Sequence, residues 1–74
     1  MITDEQAAAS SLLFAVGCLT LAARDTVRST YTMTLAAERI EGMAALGSML
    51  LSIEAQLQHA TEEARRMERQ VREG

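Results

Sequence analysis

The chain has 74 residues and a net charge of −3, and 49% of its residues are hydrophobic. This length permits one small domain, and a single cysteine with a single histidine provides neither an intrachain disulfide nor a zinc site. Binding to nucleic acid is not expected, because the negative charge repels a phosphate backbone.

The hydrophobic content is large for so short a chain. A core of this size contributes only a few kcal/mol, so small domains usually need a disulfide, a metal or a partner. Since the composition offers neither of the first two, we expect self-association, most simply as a homodimer, to cover the remaining apolar surface.

The first helix is predicted to begin after Thr3. In the segment Thr3-Asp4-Glu5-Gln6, the Thr3 hydroxyl can accept from the Gln6 backbone N–H while the Gln6 side chain reaches back, which is a capping box. Residues 6–23 carry no charge. This helix is therefore apolar nearly all round.

The uncharged run 6–23 has two interpretations. Its eighteen residues are near the short limit for a membrane span, and Arg24 and Arg28 after it suit a cytoplasmic flank. However, the run contains hydroxyl residues and a glycine, and much of its apolar content is alanine, which transfers weakly into lipid. An acidic segment precedes the run, whereas a signal peptide has a basic segment at this place. We favour a buried helix in a soluble, cytoplasmic protein, and a single-span membrane protein with a cytoplasmic coiled coil stays as the alternative.

The boundary between helices is predicted from hydroxyl and β-branched residues. Between Asp25 and Thr34 these side chains lower helix propensity and compete for backbone hydrogen bonds. Several of them can cap a second helix, which predicts a turn at about residues 29–33. The prediction is one domain over residues 1–74, with helix 1 at about 4–28 and helix 2 at about 34–73. A bent continuous helix is the alternative.

The second helix carries a heptad repeat of apolar residues, typical of a helix that packs against another helix. One position of the repeat holds Met43, Leu50, Leu57, Ala64 and Val71. Three residues after each of the first four come Leu46, Ile53, Ala60 and Met67. These nine residues are predicted to mediate self-association or binding of a partner protein.

The predicted arms of the hairpin are unequal. At 1.5 Å per residue, the second helix is about 60 Å long and the first about 37 Å. Residues 61–74 should therefore project as a charged extension that meets a second copy or a target protein. Glycine inside a helix costs about 1 kcal/mol relative to alanine, so Gly42 and Gly47 indicate close approach of another helix; glycines that are tolerated without special packing are the alternative.

The sequence contains no pattern of an enzyme or of a metal site. His59 occupies an outward heptad position with no second ligand nearby, and no base is placed against a hydroxyl. We therefore predict no catalytic, cofactor-binding or metal-binding residues. Tyr31 stands at the predicted turn, where a tyrosine either anchors a protein interface or packs over the hairpin end.

These patterns predict an all-α fold. It is a helical hairpin of two unequal antiparallel helices that dimerises into a four-helix bundle or coiled-coil assembly. The predicted function is recognition of a larger protein target. In overall style, a short acidic two-helix chain resembles small inhibitors such as phage-encoded antagonists of bacterial proteins, and also small secretion-type export chaperones. The resemblance implies a non-enzymatic inhibitor, adaptor or chaperone.

Overall fold

The first helix, α1, spans Asp4–Ala36 and begins with the predicted capping box. The Thr3 hydroxyl accepts from the Gln6 backbone N–H at 3.1 Å, and the Gln6 side-chain oxygen accepts from the Thr3 N–H at 2.9 Å. The fold comes from a computed structural model that describes residues 2–74. The second helix, α2, spans Met43–Glu73 and packs antiparallel against α1, so the predicted helical hairpin is confirmed.

The turn occupies residues 37–42, eight residues after its predicted place at 29–33. The threonine hydroxyls that suggested a break donate instead to carbonyls of their own helix: Thr26 to Ala22 and Thr30 to Thr26. Such bonds compete with capping, so α1 continues through them. The chain reverses where Gly42 adopts a φ of 90°, a conformation that side-chain-bearing residues rarely adopt.

Moving the turn makes the arms nearly equal, at 33 and 31 residues. The predicted projection of residues 61–74 is therefore wrong, because this segment lies along the first half of α1. Thr61 hydrogen-bonds Thr20 through their hydroxyls, and Arg72 Nε donates to Ser10 Oγ at 3.3 Å. The Cα envelope is a rod of 58 × 13 × 12 Å.

The fully buried residues of the interface between the helices are mostly small or polar. The side chains or glycines buried there, among the described residues, are Gly17, Thr34, Gly47, Thr61, Ala64 and Glu68. Small residues let two helix backbones approach closely. A Cβ built on Gly47 would lie 3.1 Å from Thr34 Oγ1 and 3.3 Å from Tyr31 Cε2. The close approach predicted at Gly47 is thus confirmed, whereas Gly42 forms the turn instead.

Candidate protein-interaction surface

The heptad repeat of α2 divides into two ridges with different surroundings. The ridge of Met43, Leu50, Leu57, Ala64 and Val71 faces α1 and is buried or half-buried. The second predicted ridge does not share that interface. Its members Leu46, Ile53 and Met67 keep 42–44% of their surface exposed, and Ala60 is half-buried.

The second heptad position that faces α1 comes four residues after each of the first four members of the first ridge, whereas the sequence prediction places it three residues after. It holds Gly47, Glu54, Thr61 and Glu68, and none of them is exposed. Their contacts with α1 are short, because two of these residues are small. Arg28 Nε reaches Glu54 Oε1 across the hairpin at 2.6 Å, whereas the carboxylate of Glu68 binds Arg72 of its own helix at 2.7 Å. The contact geometry therefore turns the second apolar ridge toward solvent.

Tyr31 lies inside α1 and not at the tip of the hairpin. Its ring packs over Gly47, and the side chain is half-buried. A tyrosine at this place fills the space left by the missing glycine side chain. The predicted tip contact therefore has no structural counterpart, because the turn begins at residue 37, six residues after Tyr31.

The surface outside the interface forms two flanks of the hairpin, since heptad positions on either side of the interface point in opposite directions. We call one flank the apolar side. From α1 it includes Leu12, Val16, Leu19, Ala23 and Met33. From α2 it includes Leu46, Met49, Ile53, Ala60 and Met67. Seven of these ten side chains belong to the twelve large hydrophobic ones that are 42–70% exposed among the described residues.

The opposite flank, which we call the charged side, carries arginines and two shallow clefts. A cleft of about 170 Å³ near the turn is lined in part by Leu35, Ala44 and Leu51. A cleft of about 280 Å³ near the open end includes Phe14, Arg65 and Arg72. Apolar side chains on this flank are thus separated by charged groups, unlike those on the apolar side.

The one charged residue that α2 contributes to the apolar side is Glu63, and it is paired. Arg66 donates to Glu63 Oε2 through Nη2 at 2.6 Å and through Nε at 3.2 Å. This hydrogen bonding, together with the charge of Arg66, lowers the pKa of Glu63 and raises the pKa of Arg66. Arg66 therefore partly neutralises the Glu63 carboxylate, which then opposes binding of an apolar partner at this flank less than a free carboxylate would.

The remaining candidate residues of the sequence are dispersed. Cys18 and His59 are both exposed, one on each helix. No group of three potential metal ligands occurs within residues 2–74. No family model, curated protein or solved structure matches this chain. The functional argument therefore comes from the apolar side itself.

Proposed function

We propose that this protein is a non-enzymatic protein–protein interaction module, a small inhibitor or adaptor that acts through helix packing at its apolar side. One observation carries the proposal. Within the described residues, Ala64 is the only buried hydrophobic residue, whereas seven of the twelve exposed large hydrophobic side chains lie together on the apolar side. A soluble monomer rarely leaves such a continuous apolar area uncovered unless the area binds something.

The energetics favour association over solvation of this surface. Burying one leucine, isoleucine or methionine contributes about 1.5–3 kcal/mol relative to leaving it in water. Several such residues lie in a row along both helices of the apolar side. Met33, Met49 and Met67 add adaptable contact area, because an unbranched thioether fits irregular partner surfaces. Association through this flank is therefore worth more than any of the exposed ion pairs of the hairpin.

The test uses two α2 substitutions of equal exposure on opposite flanks. Ile53 is 43% exposed on the apolar side, and Leu51 is 44% exposed on the charged side. Tagged wild type, Ile53→Glu and Leu51→Glu are used for affinity capture from source cells, followed by mass spectrometry. A partner retained by wild type and by Leu51→Glu, but lost with Ile53→Glu, supports the proposal. Equal capture by all three chains contradicts it.

A second measurement separates an inhibitor from an adaptor. Once a captured protein is known, its own activity is measured with and without the purified chain. An inhibitor lowers that activity, whereas an adaptor leaves it unchanged and brings a further protein into the complex. The Ile53→Glu variant serves as the control in both assays, because it should do neither.

A single-span membrane protein is the second candidate, and one observation favours it. Helix Asp4–Ala36 contains an 18-residue window with a mean hydropathy of 1.6, of which only 6% is buried within the hairpin. This is the one helix of the described residues that is long and apolar enough to cross a bilayer. Core helices and signal sequences have the same properties, so the observation is weak by itself.

The packing of α2 argues for a soluble, cytoplasmic hairpin over the membrane span. Arg72 contacts Ser10, and Arg65 Cγ lies 3.8 Å from a Cβ built on Gly17. An intact hairpin would carry these charges into lipid, at a cost of about 2.5–3.5 kcal/mol for each central arginine. The span therefore requires the hairpin to open. Cell fractionation without detergent distinguishes the two, since a membrane-bound chain would contradict the soluble module.

A further inference from the structure

The register between the two helices sets which residues lie at the same height on the apolar side. Thr20 lies opposite Thr61, and Arg28 lies opposite Glu54. This antiparallel register places Ala23 and Ala60 level with each other near the middle of the rod. Larger side chains lie toward both ends, with Leu12 and Met67 toward the open end and Met33, Met49 and Leu46 toward the turn.

The apolar side is large enough for a stable dimer. The Cα atoms of the whole hairpin extend 58 × 13 × 12 Å, so one flank spans at most 58 by 13 Å. Its footprint of about 750 Å², without side chains, is close to the roughly 800 Å² that each partner contributes to a standard protein interface. The flank is two helices wide along its whole length. Another flat pair of helices, as a second copy provides, therefore fits it better than a single helix does.

Two face-to-face arrangements of a second copy satisfy two-fold symmetry. In the first, the long axes are antiparallel and each helix meets its own counterpart. With the two-fold axis at the middle of the rod, Leu12 lies against Met33 of the second copy, and Ile53 lies against Met67 of the second copy. It also brings the Gln56 amide beside the Glu63 carboxylate of the second copy. At these two contacts apolar groups meet apolar groups, and a hydrogen-bond donor meets a carboxylate. Leu19 meets Thr26 of the second copy, so no charged group is covered by a leucine.

In the second arrangement, the long axes are parallel and α1 lies over α2 of the second copy. Residues of equal height then meet, which places Leu19 over Glu63 and Leu12 over Gln70. Met33 also meets Met49 there, but Arg66 binds only Oε2 of Glu63, so covering the carboxylate with leucine removes water from Oε1 without a replacement partner, and this is costly. The first arrangement avoids that contact. It also lets the two copies approach closely at their midpoint, where alanines meet alanines.

We propose that the apolar side binds a second copy of this chain, antiparallel and two-fold symmetric, with Ala23 and Ala60 next to the symmetry axis. The product is a four-helix bundle in which α1 packs on α1 and α2 on α2. The inference rests on the proposed function, since it names a second copy as the occupant of the same flank, and a target protein then binds this flank only in exchange for that copy. The core that one chain lacks is then supplied by two.

The first experiment measures mass in solution by sedimentation equilibrium over a wide concentration range. Wild type and Leu51→Glu should sediment at twice the chain mass of 8.0 kDa. Ile53→Glu should weaken the dimer by at least about tenfold, because a buried glutamate has no partner there. Far-UV circular dichroism shows whether each variant keeps its helices. A monomeric wild type, or a dimer that Leu51→Glu breaks instead, overturns the inference.

The second experiment tests the orientation by disulfide formation in a Cys18→Ser background. A cysteine next to the two-fold axis meets its own copy, so Ala23→Cys alone should form a disulfide-linked dimer on mild oxidation. In the parallel arrangement, a disulfide forms only when Ala23→Cys is mixed with Ala60→Cys. That second result overturns the proposal. Wild type, whose single cysteine Cys18 lies on the charged side, is the control and should not form a disulfide-linked dimer.

The two proposals fail in different ways. If wild type is monomeric while capture of a cellular protein still depends on Ile53, the self-association is wrong and the interaction module stands. If neither mass nor capture depends on Ile53, both proposals are wrong.

Discussion

The interface between the helices and the apolar side differ in a way that reverses the usual pattern of a globular core. The best-buried part of the interface holds two glycines, three threonines, an alanine and charged side chains such as Glu54 and Glu68, while Leu50 and Leu57 are only half-buried there. The apolar side holds leucines, methionines and an isoleucine. Close backbone approach and polar contacts therefore determine the fully buried part of the hairpin, whereas most of the exposed large hydrophobic residues lie together on one flank.

The largest effect is expected from a large side chain placed in the interface, where the helices are closest. Gly47→Leu should lower the free energy of unfolding by about 1–3 kcal/mol, because the new side chain overlaps Thr34 and Tyr31. Urea denaturation at one protein concentration measures the loss. Ser52→Leu, on the exposed outer surface of α2, is the control and should change stability little. Equal stability of both variants would mean that the helices are not in close contact at Gly47.

The next largest effect concerns the Thr20–Thr61 contact. One hydroxyl donates across the interface and the other donates to a carbonyl of its own helix. Thr20→Val and Thr61→Val should each cost about 1 kcal/mol, and the double variant should cost less than their sum. Thermal unfolding of all three gives the coupling energy. Thr32→Val removes only a bond within α1 and is the control. Strict additivity would argue against a direct contact.

A smaller effect of opposite sign is expected at the other glycine of the interface. A Cβ on Gly17 would lie 3.8 Å from Arg65 Cγ, which is ordinary van der Waals contact. Gly17→Ala should therefore stabilise the hairpin by about 0.5–1 kcal/mol, because alanine favours helix more than glycine does. A higher midpoint of thermal unfolding is the expected result. Destabilisation would indicate that α1 and α2 approach each other more closely there.

The smallest effect is a pH dependence at Glu63, the acidic residue of α2 on the apolar side. Hydrogen bonding from Arg66 lowers the pKa of Glu63 in the folded state. Stability from this pair is therefore present above the unfolded-state pKa and is lost as the pH falls through the folded-state pKa. An NMR titration of the Glu63 carboxyl should show a higher pKa in Arg66→Gln. An unchanged titration would mean that the ion pair does not persist in solution, and because the pair is exposed, added salt should weaken it.

Part of this architecture follows from local sequence rules. The capping box at Thr3 and Gln6 requires only four adjacent residues, and the structure contains both of its bonds. The heptad ridge from Met43 to Val71 repeats often enough to predict which face of α2 meets a helix. Gly42 indicates the position of the turn better than the threonines before it, because glycine readily adopts the positive φ that the turn requires. Threonine hydroxyls bond either their own helix or a new one, so their positions alone do not fix a boundary.

The order of residues along the chain determined that two long helices form, that one of them is uncharged over its first half, and that a ridge of the other packs on it. The sequence of α2 does not fix which other heptad position faces α1 beside that ridge, and the packing of the two helices fixes it. A helix of 3.6 residues per turn places residues three and four positions away equally near, so α2 alone allows either Leu46 and Ile53 or Gly47 and Glu54 to face inward. The choice depends on α1, where Gly17 and Thr20 leave room for a closely packed partner. Because that fit involves both helices at once, it turned Leu46, Ile53 and Met67 of the second ridge toward solvent.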